Sequence, residues 1–110
     1  MTNETDGDLT LDTSDRDGAV VVKAAGEIDS SNCGALQDLL TDVARRGAPG
    51  GLEVDLAAVT FIDSSGLRAL IVGQRAMVDA GGALRVTSAS ESVRRLFEIT
   101  GLVERLGLPS

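Results

Sequence analysis

Residues 59–67 read Val59-Thr60-Phe61-Ile62-Asp63-Ser64-Ser65-Gly66-Leu67. An apolar, partly β-branched run passes without a linker into Asp-Ser-Ser-Gly. Beyond it Leu67, Leu70, Ile71, Gln74, Met77 and Val78 recur at the spacing of one helix face. A strand end therefore runs directly into a helix start, and Gly81-Gly82 stops that helix. Working upstream, Leu52-Glu53-Val54-Asp55-Leu56 alternates strictly, as a strand does, with Phe61-Ile62 as a separate short apolar step. Before it Cys33, Leu36, Leu40 and Val43, with Leu39 beside them, mark an amphipathic helix whose opposite side carries Asp38 and Asp42. Ser30 or Ser31 supplies its N-cap and Gly47, Pro49, Gly50 and Gly51 end it. Ala19 to Ala25 is β-branched and nearly continuous, the pattern of a strand covered on both faces. Leu9, Leu11 and Thr13 alternate as a half-buried strand, joined to it through the turn cluster Asp15-Arg16-Asp17-Gly18 as an antiparallel hairpin.

Downstream, Ala83 to Thr87 is a further strand. Ser88 and Glu91 are spaced as a capping box for a third helix carrying Val93, Leu96 and Phe97, with Gly101 at its C′ position. Leu102, Val103, Leu106 and Leu108 form an apolar tail that packs back. The order β-β-α-β-α-β-α predicts an α/β layer. Its sheet is mostly parallel, of roughly four to five strands, with an N-terminal antiparallel hairpin and helices packed on it. The chain divides into a flexible acidic tail over 1–8 and a single domain over 9–108.

Composition narrows the function. The chain has 110 residues, 43% hydrophobic and 25% charged, which suits one domain. Of its net charge of −7, the first 17 residues carry −5: six acidic groups against Arg16. That acidic balance, with two Phe and no Trp or Tyr to stack on bases, argues against nucleic acid as a partner. The absence of histidine excludes Ser-His-Asp and Cys-His catalysis and argues against a transition-metal site. Neither G-x-x-x-x-G-K-[ST] nor G-x-S-x-G is present. No catalytic residue, metal or cofactor is therefore expected. No apolar run is long enough for a membrane span, and MTNETDGDLT is not a secretory signal. The lone Cys33 suits a reducing compartment and reads as part of the core. These features point to the cytoplasm.

Chemistry concentrates at Asp63-Ser64-Ser65-Gly66. Sites in α/β sheets lie outside the carboxyl ends of strands, and a helix start offers free N–H groups and a positive dipole end. Asp-Ser-Ser-Gly is good capping and turn chemistry. The same spacing suits a serine that is switched by phosphorylation, which would add a charge of about −1.5 to −2 where the helix stabilises anions. Gly66 permits close approach at the junction.

Asp63-Ser64-Ser65-Gly66-Leu67, preceded by Val59-Thr60-Phe61-Ile62, resembles the signature of the bacterial anti-sigma factor antagonists of the STAS superfamily. Gly26-Glu27-Ile28-Asp29, Gly81-Gly82-Ala83-Leu84-Arg85-Val86 and Val93-Arg94-Arg95-Leu96-Phe97-Glu98-Ile99-Thr100-Gly101-Leu102 match further family motifs in order and at family spacing. The resemblance runs from about Leu9 to Leu106. It implies a STAS fold and a non-enzymatic regulator of sigma factors by partner switching. The unphosphorylated form would bind an anti-sigma factor with a GHKL-type serine kinase domain and free the sigma factor. The kinase would then phosphorylate the second serine of the motif, which is Ser65, and a PP2C-type phosphatase would reverse it. Asp29, Asp63, Ser64 and Gly66 fall on the partner-binding surface. Arg68 stands where the family commonly has a small residue. It is either an exposed helix residue or a partner for a phosphate on Ser65, and in that role it can alter partner choice. The alternative within the superfamily is a regulatory or scaffold module of a stressosome or a membrane-transport system.

Overall fold

The computed structural model describes residues 2–109. Five strands form one sheet in the order β1 (Thr2–Asp6), β2 (Leu9–Arg16), β3 (Ala19–Ile28), β4 (Leu52–Ile62) and β5 (Leu84–Ala89). The helices are α1 (Cys33–Arg46), α2 (Ser64–Asp79) and α3 (Glu91–Thr100). β1 to β3 are antiparallel, whereas β3, β4 and β5 run parallel through the α1 and α2 crossovers. The α/β architecture, the hairpin and the three helices match the expectation.

Successive crossovers step across the sheet in one direction, which puts their helices on the same face. Burial agrees. Val22, Ala24, Val54, Leu56 and Val86 point into one core shared with Leu36, Leu40, Leu70, Val93 and Phe97. The intervening side chains Val21, Lys23, Glu53 and Arg85 are half-buried or exposed. β3 is therefore not covered on both faces as its β-branched run suggested. The outer face is laced by charge instead, with Arg16 bonded to Glu53 at 2.6 Å and Lys23 set in register between Asp12 and Asp55.

Several expectations are corrected. Within the stretch 1–8 read as a flexible acidic tail, residues 2–6 form a strand. They pair with β2 from Thr2↔Thr13 to Asp6↔Leu9, around a turn with Gly7 at φ +60°. The side chains of residues 3–6 are exposed, so hydrophobic periodicity could not reveal this strand. Leu52–Leu56 and Phe61-Ile62 are one strand, β4, because β3 pairs with it from Val20↔Leu52 to Ile28↔Ile62, through register shifts at Lys23/Ala25 and Gly26/Glu27. α1 is entered through Asn32 rather than a serine cap. Ser88 lies in β5, and the cap of α3 is Ser90, whose hydroxyl accepts from the Val93 amide. Val78 is 61% exposed, off the buried face of α2. Cys33 is half-buried and packs against the core, and the tail does return, with the Val86 amide bonded to the Leu106 carbonyl at 2.6 Å.

Candidate functional site at the carboxyl end of the sheet

β5 leaves the sheet at Leu56↔Ala89, yet β4 continues to Ile62 with only β3 beside it. The extension is braced from the other side. The Ser90 and Ser92 hydroxyls donate to the carbonyls of Val59 and Thr60. The two strands end together, so Asp29 and Asp63 follow directly paired residues, and the Asp63 amide donates to the Ile28 carbonyl at 3.3 Å.

Asp63 caps α2. Its Oδ1 accepts the amides of Ser65 at 3.0 Å and Gly66 at 3.2 Å, two of the donors a helix start leaves free. The same oxygen accepts the Ser65 hydroxyl. That hydroxyl bond, helped by the Gly66 and Ser65 amides, holds the Asp63 carboxyl below the ordinary carboxylate value of 3.8 against an opposing push from burial. Asp63 is thus ionised at neutral pH. Ser65 is partly buried, and Ser64 and Arg68 are exposed.

Gly66 is required by packing, not by its dihedral angles. A Cβ there would stand 2.7 Å from Ile28 Cγ2 and 2.6 Å from Ile62 Cγ1. The helix therefore starts hard against the two strand ends, and this close approach sets the height of Ser65. Gly26 answers to a different constraint. Its φ is +102°, and a Cβ would meet the Asp8 carbonyl oxygen at 1.8 Å.

The Asp29 loop is organised by Asn32, which sequence reasoning missed. Asn32 is 2% exposed. Its Oδ1 accepts the Asp29 amide and its Nδ2 donates to the Glu27 carbonyl, each at 2.9 Å. Asp29 Oδ1 in turn accepts the Ser31 amide and hydroxyl. The other missed residue is Phe61, 47% exposed two positions before the cap. Strand alternation was the available signal, since it sends Ile62 inward and Phe61 outward.

Asp29, Asp63, Ser64, Ser65 and Gly66 thus gather at one end of the sheet, with Arg68 on the next turn of α2. The arrangement presents a hydroxyl whose proton is already donated to a carboxylate, at a helix terminus able to stabilise an anion. No helix among the described residues is long and apolar enough to cross a membrane.

Comparison with known proteins agrees with this architecture. Residues 11–108 match the family model described as Mlab, STAS domain. The anti-sigma-B factor antagonist of Bacillus subtilis is 33% identical over 94 residues, spanning 86% of this chain and 84% of that protein. The crystal structure of an anti-sigma factor antagonist from Mycobacterium paratuberculosis superposes with a TM-score of 0.82 at 31% identity, covering 97% of this chain and 92% of that one. The Bacillus cell fate determinant SpoIIAA in its phosphorylated form shares the fold, with a TM-score of 0.70 at 19% identity over 91% of each chain. Motif order, sheet topology and these likenesses converge: the chain belongs to the STAS-domain family of anti-sigma factor antagonists.

Proposed function

We propose that the unphosphorylated protein binds an anti-sigma factor bearing a GHKL-type serine kinase domain, and so releases a sigma factor. Phosphorylation of Ser65 by that kinase ends binding, and a PP2C-type phosphatase restores it. The protein acts in the cytoplasm, has no catalytic activity of its own and needs no cofactor. One observation carries the reading: a partly exposed serine heads α2 where two strands end, its hydroxyl bonded to a carboxylate. That SpoIIAA was solved phosphorylated supports it by likeness.

Physical chemistry supplies the switch. A docked partner covers Ser65, Asp63 and Asp29, and a neutral hydroxyl is tolerated there. A phosphate of charge about −1.5 to −2 adds repulsion to two carboxylates and must be desolvated. A penalty of a few kcal/mol weakens binding on the order of a hundredfold. The helix terminus and Arg68 stabilise the phosphate within the domain, so the fold stays intact.

The test is capture of the partner from cells of the host by purified wild-type, Ser65→Ala and Ser65→Asp proteins. Wild type and Ser65→Ala are expected to retain a serine kinase of the anti-sigma class, and Ser65→Asp to lose it. Equal retention by Ser65→Asp, or phosphate found on Ser64 with Ser65 unmodified, overturns the proposal.

A further inference from the structure

We propose that Asp63 selects Ser65 over Ser64 as the phosphoryl acceptor, by holding the Ser65 hydroxyl in one orientation. The inference rests on the reading of Ser65 as the modified residue. Both serines head the same helix, so its dipole favours a phosphate on either. Their surroundings separate them. The Ser64 side chain is exposed and enters none of the hydrogen bonds described around Asp63. The Ser65 hydroxyl is donated to Asp63 Oδ1, the oxygen that also accepts the Ser65 and Gly66 amides. That carboxylate cannot turn away without uncapping α2. The Ser65 rotamer is therefore pinned by a group that is itself pinned. Its proton faces Asp63, and its lone pairs face away. The Ser64 hydroxyl samples its staggered wells freely and must be ordered afresh by an incoming kinase.

The transfer balances. The Oγ–phosphorus bond forms as the bond from the γ-phosphorus to the β,γ-bridging oxygen of a nucleoside triphosphate breaks, and the diphosphate leaves with the electron pair. The Oγ proton turns acidic once the new bond is largely made. It passes to the Asp63 carboxylate it already touches and from there to water. In the product Oγ has no proton to donate, and the phosphate faces Asp63 and Asp29, with Arg68 as the nearby cation on α2. The contact that chose the residue becomes repulsive once the residue is modified.

The experiment treats wild-type, Asp63→Ala and Asp63→Asn proteins with the captured kinase and ATP, and reads phosphate at 64 and at 65 by peptide fragmentation. A hydrogen bond to a charged group sets the scale, so the preference for Ser65 in Asp63→Ala is expected to fall about ten- to a hundredfold. Asn keeps an acceptor oxygen and retains part of the preference. Circular dichroism confirms matched helix content. An unchanged preference in folded Asp63→Ala overturns the inference. A second arm needs no kinase. Hβ couplings by NMR are expected to show one χ1 rotamer at Ser65 and averaging at Ser64 in the wild type, with both averaged in Asp63→Ala. Equal averaging at both serines in the wild type overturns it as well. A wild-type protein that takes phosphate at neither serine overturns the proposed switch instead, and the NMR arm still decides the orientation.

Discussion

Replacing Gly66 with alanine tests how tightly the start of α2 is seated. The new Cβ would lie 2.7 Å from Ile28 Cγ2 and 2.6 Å from Ile62 Cγ1, where ordinary contact begins at 3.4 Å. Neither neighbour yields easily. Ile28 is fully buried, Ile62 is 6% exposed, and both sit at the paired ends of β3 and β4. Overpacking of this kind costs about 1–3 kcal/mol, against about 1 kcal/mol gained in helix propensity. With both isoleucines hemmed in, the net loss is expected to be about 1–2 kcal/mol, a fall of roughly 4 °C or more in Tm. Gly34 in α1 is the control, since nothing lies within 4 Å of its Cβ position. Gly34→Ala should be neutral or stabilising by up to about 1 kcal/mol. Urea and thermal unfolding followed by circular dichroism at helix wavelengths measure both. A Gly66→Ala protein as stable as the wild type would falsify the close-seating argument. Partner affinity should fall further than stability alone explains, because α2 carries Ser65 outward as it shifts.

Other perturbations address the cap, the loop and the rim. The folded-state acidity of Asp63 is raised, so its contribution to stability is fully present above the ordinary carboxylate value of 3.8 and fades as pH drops through the lower folded value. The Tm gap between wild type and Asp63→Asn should be constant above about pH 5 and narrow in acid; a gap that widens in acid contradicts the sign. Asn32→Ala strands the part-buried Asp29 amide and Glu27 carbonyl and should cost about 1–3 kcal/mol in urea unfolding, with faster amide exchange at Asp29. Ser90→Ala removes a cap and the bond to the Val59 carbonyl, for a loss of about 1–2 kcal/mol; a Tm within 1–2 °C of wild type, about the effect of an ordinary surface change, would rule the brace out. Phe61→Ser should leave Tm nearly unchanged while weakening capture of the anti-sigma factor at least tenfold, as loss of an aromatic anchor does, and calorimetry would expose an unaltered affinity.

The sequence was legible wherever burial imposed a period. Leu36, Leu40 and Val43 announced α1, and Leu52, Val54 and Leu56 announced a strand, because each set faces the core. Elements held by backbone bonding alone carried no such imprint. β1 buries none of the side chains of residues 3–6, and the middle of β4, Ala57 to Thr60, mixes exposed residues with the buried Val59. β-branched residues at 20–22 overstated coverage, since half-exposed Val21 suits an open sheet face as well as a closed one. At the site the Asp-Ser-Ser-Gly chemistry was visible in the residues themselves. The role of Asn32 was not, because a buried asparagine and a surface one read alike until its two backbone partners are known. Caps slipped by one or two residues for a related reason: several serines stood near each helix start, and only geometry chose among them.

The lateral borders of the sheet have one more implication. One margin is the polar, acidic strip Thr2–Asp6, and the other is occupied where the returning tail bonds to Val86. Acidic charge discourages strand-on-strand adhesion at the first margin and an occupied amide does so at the second. Annealing along a flank is thereby disfavoured, which leaves the tip where Ile28 and Ile62 finish as the open approach. If Ser65 is the switch proposed above, its hydroxyl stands on the approach that the flanks leave open.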